Sequence, residues 1–305
     1  MNLAPVALFV YARPEETLKT LVSLKNNFLA PQSSLFIFSD GPKNEEHFEL
    51  VNKVRRIIKN ESKGFAKVEI IEREENLGLA KSIIQGVTEV LNIYDKIIVM
   101  EEDLISSKNF LNFLNESLTK YYEYKNIFSC TGYTYQIDIP ARYQYDNYFT
   151  PRCESLGWGT WKDRWIKFDT DVKDFKKFIY DKDLRKSFEK IGADLFGMLL
   201  KQQLGLLDSW AVRWCYTHFK NNALCSYPIK SKILHIGEGG IATHVKKENK
   251  ILNTELDNDL KTKFNLADLA LCDDQILKQF NKKFKRSLIK KIRTAYNLFS
   301  YKHQI

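Results

Sequence analysis

Three acidic residues in succession, Glu101-Glu102-Asp103, follow directly on the apolar run Lys96-Ile97-Ile98-Val99-Met100. Adjacent carboxylates repel one another. A hard divalent cation together with a diphosphate would balance them, because carboxylates hold Mn2+ or Mg2+ while phosphate oxygens fill the remaining coordination positions. A solvated loop, or the acidic first turn of a following helix, accounts for the cluster equally well. Further on, Leu207-Asp208-Ser209-Trp210 sets one carboxylate among apolar and aromatic neighbours. Desolvation there would raise its pKa and suit it to general-base work, while capping of a helix is the simpler role; the two are compatible. The stretch Ile236-Gly237-Glu238-Gly239-Gly240-Ile241-Ala242-Thr243-His244 offers glycines that let backbone approach a phosphate, and a histidine able to meet a metal or a diphosphate. A plain flexible loop fits it as well. Leu156-Gly157-Trp158-Gly159-Thr160-Trp161 places small residues among tryptophans, as in a platform for a sugar face, with Trp158 and its glycines the pocket candidates and Trp165 assigned to core packing. Asp40 is placed to accept from a nucleobase imide and Arg13 to meet a phosphate, although a turn residue and a surface cation are the simpler roles for each.

The elements that must carry these residues alternate. Residues 4–12 (APVALFVYA) form a continuous apolar run, as expected of a strand buried on both faces. Arg13-Pro14-Glu15-Glu16 predicts a helix start, with Pro early and acids in the first turn, and Leu18, Leu21 and Leu24 on its inner face. Residues 34–39 predict a second strand closed by the turn Asp40-Gly41-Pro42. Helical spacing over 45–60 (Phe48, Val51, Val54, Ile58), a strand at 67–71, a helix opening at Asn76-Leu77-Gly78-Leu79 and a strand at 96–100 complete four strand–helix alternations. That rhythm predicts a parallel α/β sheet, which binds ligands at the carboxyl ends of its strands. Beyond residue 110 the rhythm changes to a helix over 107–125, short aromatic segments, mostly helix over 183–221, and short strands at 224–227 and 233–236. The expected organisation is an α/β half over 1–125, a mixed helical and aromatic half over 126–270, and a basic tail over 271–305.

The chain has 305 residues, 44% hydrophobic and 28% charged, which excludes a collagen-like, low-complexity or wholly disordered chain. Its net charge of +9 is unevenly placed. Residues 276–305 hold nine Lys or Arg and no Asp or Glu, leaving 47 − 9 = 38 basic against 38 acidic residues elsewhere. The body is formally neutral, so the basic balance does not argue for nucleic acid as a partner. Within the tail, Leu277, Phe280, Phe284, Leu288, Ile292, Tyr296 and Phe299 recur at three- and four-residue steps opposite most of the cations. This predicts a basic amphipathic helix, either lying on an anionic membrane surface or docking its apolar face on the body. The five scattered cysteines lack any C-x-x-C pair and are expected as reduced thiols of a cytoplasmic protein. The opening MNLAPVALFVYA has neither a basic lead nor a small-residue cleavage site, and no apolar run nears the roughly 20 residues that span a bilayer. A cytoplasmic chain, peripheral on the inner face of the plasma membrane where the tail meets it, is the expectation.

Taken in order, four stretches resemble glycosyltransferases of the GT-A fold, notably the N-acetylglucosaminyltransferase I type and bacterial sugar transferases of surface polysaccharide synthesis. VMEEDL at 99–104 resembles that family's Glu-Asp-Asp-Leu metal motif after a strand. YFTPRCESLGWGTW at 148–161 resembles its segment ending in Leu-Gly-Trp. LLDSW at 206–210 resembles its Trp-Asp-Asp-Trp segment, and SKILHIGEGGIATH at 231–244 its closing loop. The resemblance implies a Rossmann-like, mostly parallel sheet flanked by helices, with an acceptor-side helical and aromatic region and a basic C-terminal helix. It implies Asp103 as the metal ligand, Glu101 and Glu102 as donor-sugar and ribose contacts, Asp208 as the base, Arg13 as a phosphate contact and Asp40 as the uracil contact. It further implies that Leu156, Gly157 and Trp158 line the sugar pocket and that His244 closes over the diphosphate. This sequence departs from the family in carrying Glu102 for an Asp, Ser209 for the second Asp of Trp-Asp-Asp-Trp, and a glycine loop one residue longer.

The implied activity is metal-dependent, inverting transfer of a sugar, an N-acetylhexosamine by family weight, from a UDP-sugar to a glycan or lipid-linked oligosaccharide, with Mn2+ or Mg2+ as cofactor. A sugar-nucleotide pyrophosphorylase has a similar layout, but needs a Gly-rich, basic loop after the first strand where this chain has Tyr11-Ala12-Arg13-Pro14-Glu15. A non-enzymatic membrane- or nucleic-acid-binding protein is the remaining alternative.

Overall fold

The computed structural model describes residues 2–237 and 254–304. In chain order the elements are β1 (Val6–Val10), α1 (Pro14–Lys25), β2 (Ser34–Ser39), α2 (Glu45–Glu61), β3 (Lys67–Glu72), α3 (Leu79–Ile93), β4 (Lys96–Glu101), β5 (Leu104–Ser106), α4 (Phe110–Lys120), β6 (Ile127–Thr131), β7 (Asn147–Thr150), β8 (Trp158–Trp161), α5 (Lys162–Trp165), α6 (Phe175–Tyr180), α7 (Lys182–Lys190), α8 (Leu195–Gln203), α9 (Trp210–Lys220), β9 (Leu224–Pro228), β10 (Ile233–His235), α10 (Asp274–Lys282) and α11 (Leu288–Gln304). Eight strands form one sheet in the order β3-β2-β1-β4-β8-β6-β9-β7, and β10 pairs with β5 in a separate ribbon. The strands β3, β2, β1, β4, β6 and β9 run one way, while β8 and β7 run against them. The mostly parallel, Rossmann-like α/β sheet flanked by helices, expected from the alternating first third, is therefore present.

Local chemistry explains the elements that matter for the site. All five residues of β1 are buried, as befits an inner strand with partners on both edges. Pro14 begins α1 with Glu15 and Glu16 in the first turn, where the missing N–H costs nothing and the helix dipole favours acids. Leu21 and Leu24 of α1 are fully buried, each contributing about 2 kcal/mol of transfer free energy. The rest of the inner face departs from expectation. Leu18 is exposed, and Thr17 and Thr20 take the buried positions because they face polar groups of Glu102. In α2, likewise, Phe48 is exposed while Val51, Val54 and Ile58 pack inward.

The tail also differs from the single amphipathic helix expected. It is two helices, α10 and α11, with a break between them. Ile276, Phe280 and Phe284 are buried, with the Phe280 and Phe284 rings edge-on to Tyr135 and the Arg152 guanidinium lying 3.8 Å from the Phe284 ring centre. The first part of the tail thus docks on the body, while Leu288, Ile292, Tyr296 and Phe299 of α11 are exposed. No described helix is long and apolar enough to cross a membrane.

Candidate active site

Parallel pairing puts the carboxyl ends of β1, β2 and β4 at one edge of the sheet, since Val10 is in register with Ser39, and Phe9 with Glu101. Whatever follows those strands is gathered there: Tyr11–Arg13, Asp40, and Glu101-Glu102-Asp103. Of the three acids, Glu101 ends β4 and the other two form a turn into β5.

Glu102 is turned into the fold and buried. Its Oε2 accepts from the backbone N–H of Tyr11 at 2.5 Å and from Thr17 Oγ1 at 3.3 Å, and its carbonyl accepts from Thr20 Oγ1 at 2.6 Å. It braces the β1–α1 junction against β4, which accounts for the threonines of α1. A ribose contact from this position, as the resemblance implied, competes with that bracing. Burial is the main force on its acidity and pushes the carboxyl up to about 8, although the Tyr11 amide and Arg13 pull the other way. Glu101 is likewise pushed up to about 8, by burial first and then by the neighbouring charges of Asp103 and Glu102.

Asp103 behaves oppositely. Burial disfavours its charge, but hydrogen bonding to His235 and the Arg13 guanidinium outweigh it and hold the carboxyl below the usual range. Oδ2 lies 2.7 Å from Arg13 Nη1 and 3.3 Å from His235 Nε2. The site therefore keeps one firmly ionised carboxylate beside two that resist ionisation in the absence of an added cation. The other arginine nitrogen, Arg13 Nη2, is buried and has no hydrogen-bond partner among the described residues.

His235 reaches the cluster through tertiary pairing. Strand β10 runs antiparallel to β5 with His235 opposite Leu104, and the Asp103 carbonyl accepts from Ile236 N–H at 2.8 Å. Two residues on, Gly237 passes so close that a methyl built on it would stand 2.3 Å from Asp103 Oδ2 and 2.9 Å from both Arg13 Nη2 and His235 Nε2. The beginning of the glycine stretch does bring backbone against charged groups. His244 lies outside the described residues.

The remaining expected residues are placed as follows. Asp40 is buried, and its carboxylate accepts from the N–H groups of Gly41, Leu77 and Gly78 and from Asn76 Nδ2, at 2.9–3.1 Å. Those four donors occupy it as the anchor of the 76–78 turn, where Gly78 has φ +76° at the start of α3. Gly157 also has positive φ, and its Cα faces the Ile233 side chain so closely that a methyl would sit 2.6 Å from it. Leu156 and Trp158 are buried. Trp158 is fully enclosed, stacked on Trp210 at 5.0 Å and flanked by Trp165 and Trp214. The aromatic platform expected there is a filled core, because three more tryptophans converge on the same place.

Asp208 is 67% exposed at its side chain and pairs with Arg213 at 3.2 Å. It does not cap α9; Ser209 does, accepting from Val212 N–H. Trp210 stacks on Trp158, which is in register with Val99, so the loop carrying Asp208 is anchored beside β4 just ahead of the acidic turn.

Two residues escaped the sequence reading. His235 carried no periodic signal. Glu154 sits within the quoted YFTPRCESLGWGTW stretch, yet only the fold brings its charge near Glu101; it is buried and accepts from Tyr135 Oη at 2.5 Å. Among the described residues, no three metal-ligating side chains converge on one point.

No protein-family model and no curated protein matches the chain. Among solved structures it is similar to S. aureus TarS, at 13% identity and a TM-score of 0.37 over 75% of this chain and 36% of that one. The same holds for TarS 1–349, at 12% and 0.38 over 75% and 59%. It is also similar to UDP-glucose pyrophosphorylase complexed with UDP-glucose, at 15% and 0.28 over 54% and 79%. The chain thus spans about a third of the first of these and three fifths of the second. Likeness at this level leaves the function to be argued from the site.

Proposed function

We propose that the chain is a metal-dependent, inverting glycosyltransferase that takes a sugar from a nucleoside-diphosphate sugar, UDP-linked by family resemblance, and places it on a hydroxyl of a glycan or lipid-linked acceptor. The observation that carries this reading is Arg13 Nη2, a buried cationic donor without a hydrogen-bond partner among the described residues, set against an acidic turn at the carboxyl edge of a parallel sheet. A buried guanidinium nitrogen left unpaired is costly unless an anion comes to it, and a diphosphate is the anion that also brings oxygens to a metal.

The donor set fits a divalent cation of the Mg2+ or Mn2+ kind. Such ions take one or two protein ligands and fill the rest of their shell with phosphate and water. Asp103, held ionised, would be the main ligand, and His235 offers a nitrogen beside it. When bound, the cation supplies charge neutralisation for the departing diphosphate. Arg13 binds the same group through Nη2. Gly237 admits the diphosphate close to backbone where any side chain would collide. Glu102 fixes the β1–α1 junction that aims Arg13. Asp208, exposed and paired with Arg213, accepts the proton of the acceptor hydroxyl as that oxygen attacks the anomeric carbon. One base opposite one leaving group gives inversion in a single displacement.

The test is turnover with a panel of nucleotide sugars, with and without Mn2+. Release of nucleoside diphosphate that requires both metal and acceptor supports the proposal. Exchange of pyrophosphate into the donor would instead make the chain a pyrophosphorylase, and the absence of metal-linked nucleotide binding would remove both.

A further inference from the structure

Helix α11 is amphipathic in the inverse sense to most surface helices. Its docked side is modest: Thr294 is buried and Leu298 and Tyr301 are half-buried against the body. Thr294 lies against Gly197 of α8 and bonds Arg286, and the Tyr301 ring meets Phe175 of α6 at 5.4 Å. The apolar side faces outward. Leu288, Ile289, Ile292, Tyr296 and Phe299 are each 60–73% exposed. At about 100° per residue they fall in one stripe roughly 100° wide, diametrically opposite Thr294. Lys291 and Arg293 are exposed and flank that stripe on either side, with Lys285 and Lys290 exposed at the N-terminal end.

An apolar stripe of this length on a solvent-facing helix calls for a cover. We infer that α11 is a membrane-surface element, its stripe entering the headgroup region of an anionic bilayer with the flanking cations on lipid phosphates. Three observations choose this occupant. The helix cannot span a bilayer. Residues 276–305 contain no acid, so the face carries only cations and complements a surface of uniformly negative charge. A second copy of the chain meeting this face about a two-fold axis would set Lys291 and Arg293 against cations of the same kind. The contact is also narrower than the periodicity of the whole tail implies. Phe280 and Phe284 are spent on the body, which holds α11 at a fixed place on it. The inference stands whether or not the chain transfers sugars.

Co-sedimentation of the full chain with vesicles tests it. The protein should pellet with phosphatidylcholine vesicles containing about one third phosphatidylglycerol and stay in solution with phosphatidylcholine alone. Added salt should weaken the binding. Ile292→Asp with Phe299→Asp should reduce partitioning at least about tenfold while the thermal midpoint is unchanged, since both side chains are exposed. Lys291→Ala with Arg293→Ala should cost about fivefold per cation, and keeps the inference falsifiable if the first pair fails to fold. Failure to bind the anionic vesicles, equal binding to the neutral ones, or no effect of either pair would overturn it. So would sedimentation equilibrium showing a vesicle-free dimer that the Ile292→Asp, Phe299→Asp pair dissociates.

Discussion

Arg13 meets Asp103 with one nitrogen and leaves the other buried: Nη1 lies 2.7 Å from Oδ2, while Nη2 has no hydrogen-bond partner among the described residues. An arginine used only to neutralise the carboxylate would engage it with both nitrogens in the bidentate geometry its planar fork favours. The half-satisfied pairing is the arrangement expected of a cation shared between a fixed carboxylate and an incoming anion.

Arg13→Met should therefore weaken binding of nucleoside diphosphate by about tenfold to a hundredfold, as expected for loss of a charge-assisted contact to phosphate. Arg13→Lys should recover only part of it, because an ammonium cannot serve two anions from one plane. Titration calorimetry with UDP and Mn2+ checks both. Affinity unchanged in Arg13→Met would remove the residue from the donor site.

The acidic turn predicts a pH dependence of stability. Glu102 has its carboxyl raised from 4.5 to about 8 in the fold, chiefly by burial. A group whose folded pKa is raised stabilises the fold while protonated. That contribution is present below the unfolded value and is lost as pH rises towards the folded one. In metal-free protein, wild type should lose stability relative to Glu102→Gln between about pH 4.5 and 8, with the gap reaching a few kcal/mol at the alkaline end. Gln keeps an oxygen for the Tyr11 amide, so the variant isolates the charge. Thermal unfolding at both ends of the window measures it; parallel curves would mean Glu102 ionises freely in the fold.

Gly237→Ala should damage ligand binding without unfolding the protein. The added methyl would stand 2.3 Å from Asp103 Oδ2, so Asp103, Arg13 and His235 must separate. A donor affinity reduced tenfold or more, with little change in thermal midpoint, is the expected outcome on comparing nucleotide titration with thermal unfolding. An unchanged affinity would show that the three groups need not stay together.

What the sequence revealed about this site follows from how far each residue's partners lie along the chain. Strands β1 to β4 were legible because apolar runs and turn residues are local signals, and parallel pairing then gathers their ends without further information. Asp103 and Arg13 came with those ends. His235 did not, because its place depends on β10 pairing with β5, more than a hundred residues earlier in sequence. Trp158 is enclosed, not an open platform, because Trp165 at the end of α5 and Trp210 and Trp214 of α9, a helix distant in sequence, close around it. The tail's periodicity continues across 283–287, yet burial of Phe280 and Phe284 against Tyr135 ends α10 there; tertiary packing overrides the local repeat.

Asp208 and Ser209 can be separated by experiment, since a capping role and a proton-accepting role fall on adjacent residues. Ser209 caps α9, so Ser209→Ala should cost about 1 kcal/mol of stability and leave transfer largely intact. Asp208 is exposed, and its pair with Arg213 contributes well under 1 kcal/mol. Asp208→Asn should therefore leave the thermal midpoint where it is. It should lower kcat by at least about a hundredfold with donor affinity retained, because the amide cannot accept the acceptor's proton. The diagnostic is the split: a variant that binds the nucleotide normally and does not turn over. Should Asp208→Asn transfer sugar at the wild-type rate, the base lies elsewhere, and Glu154, the buried carboxylate near Glu101, becomes the next residue to replace.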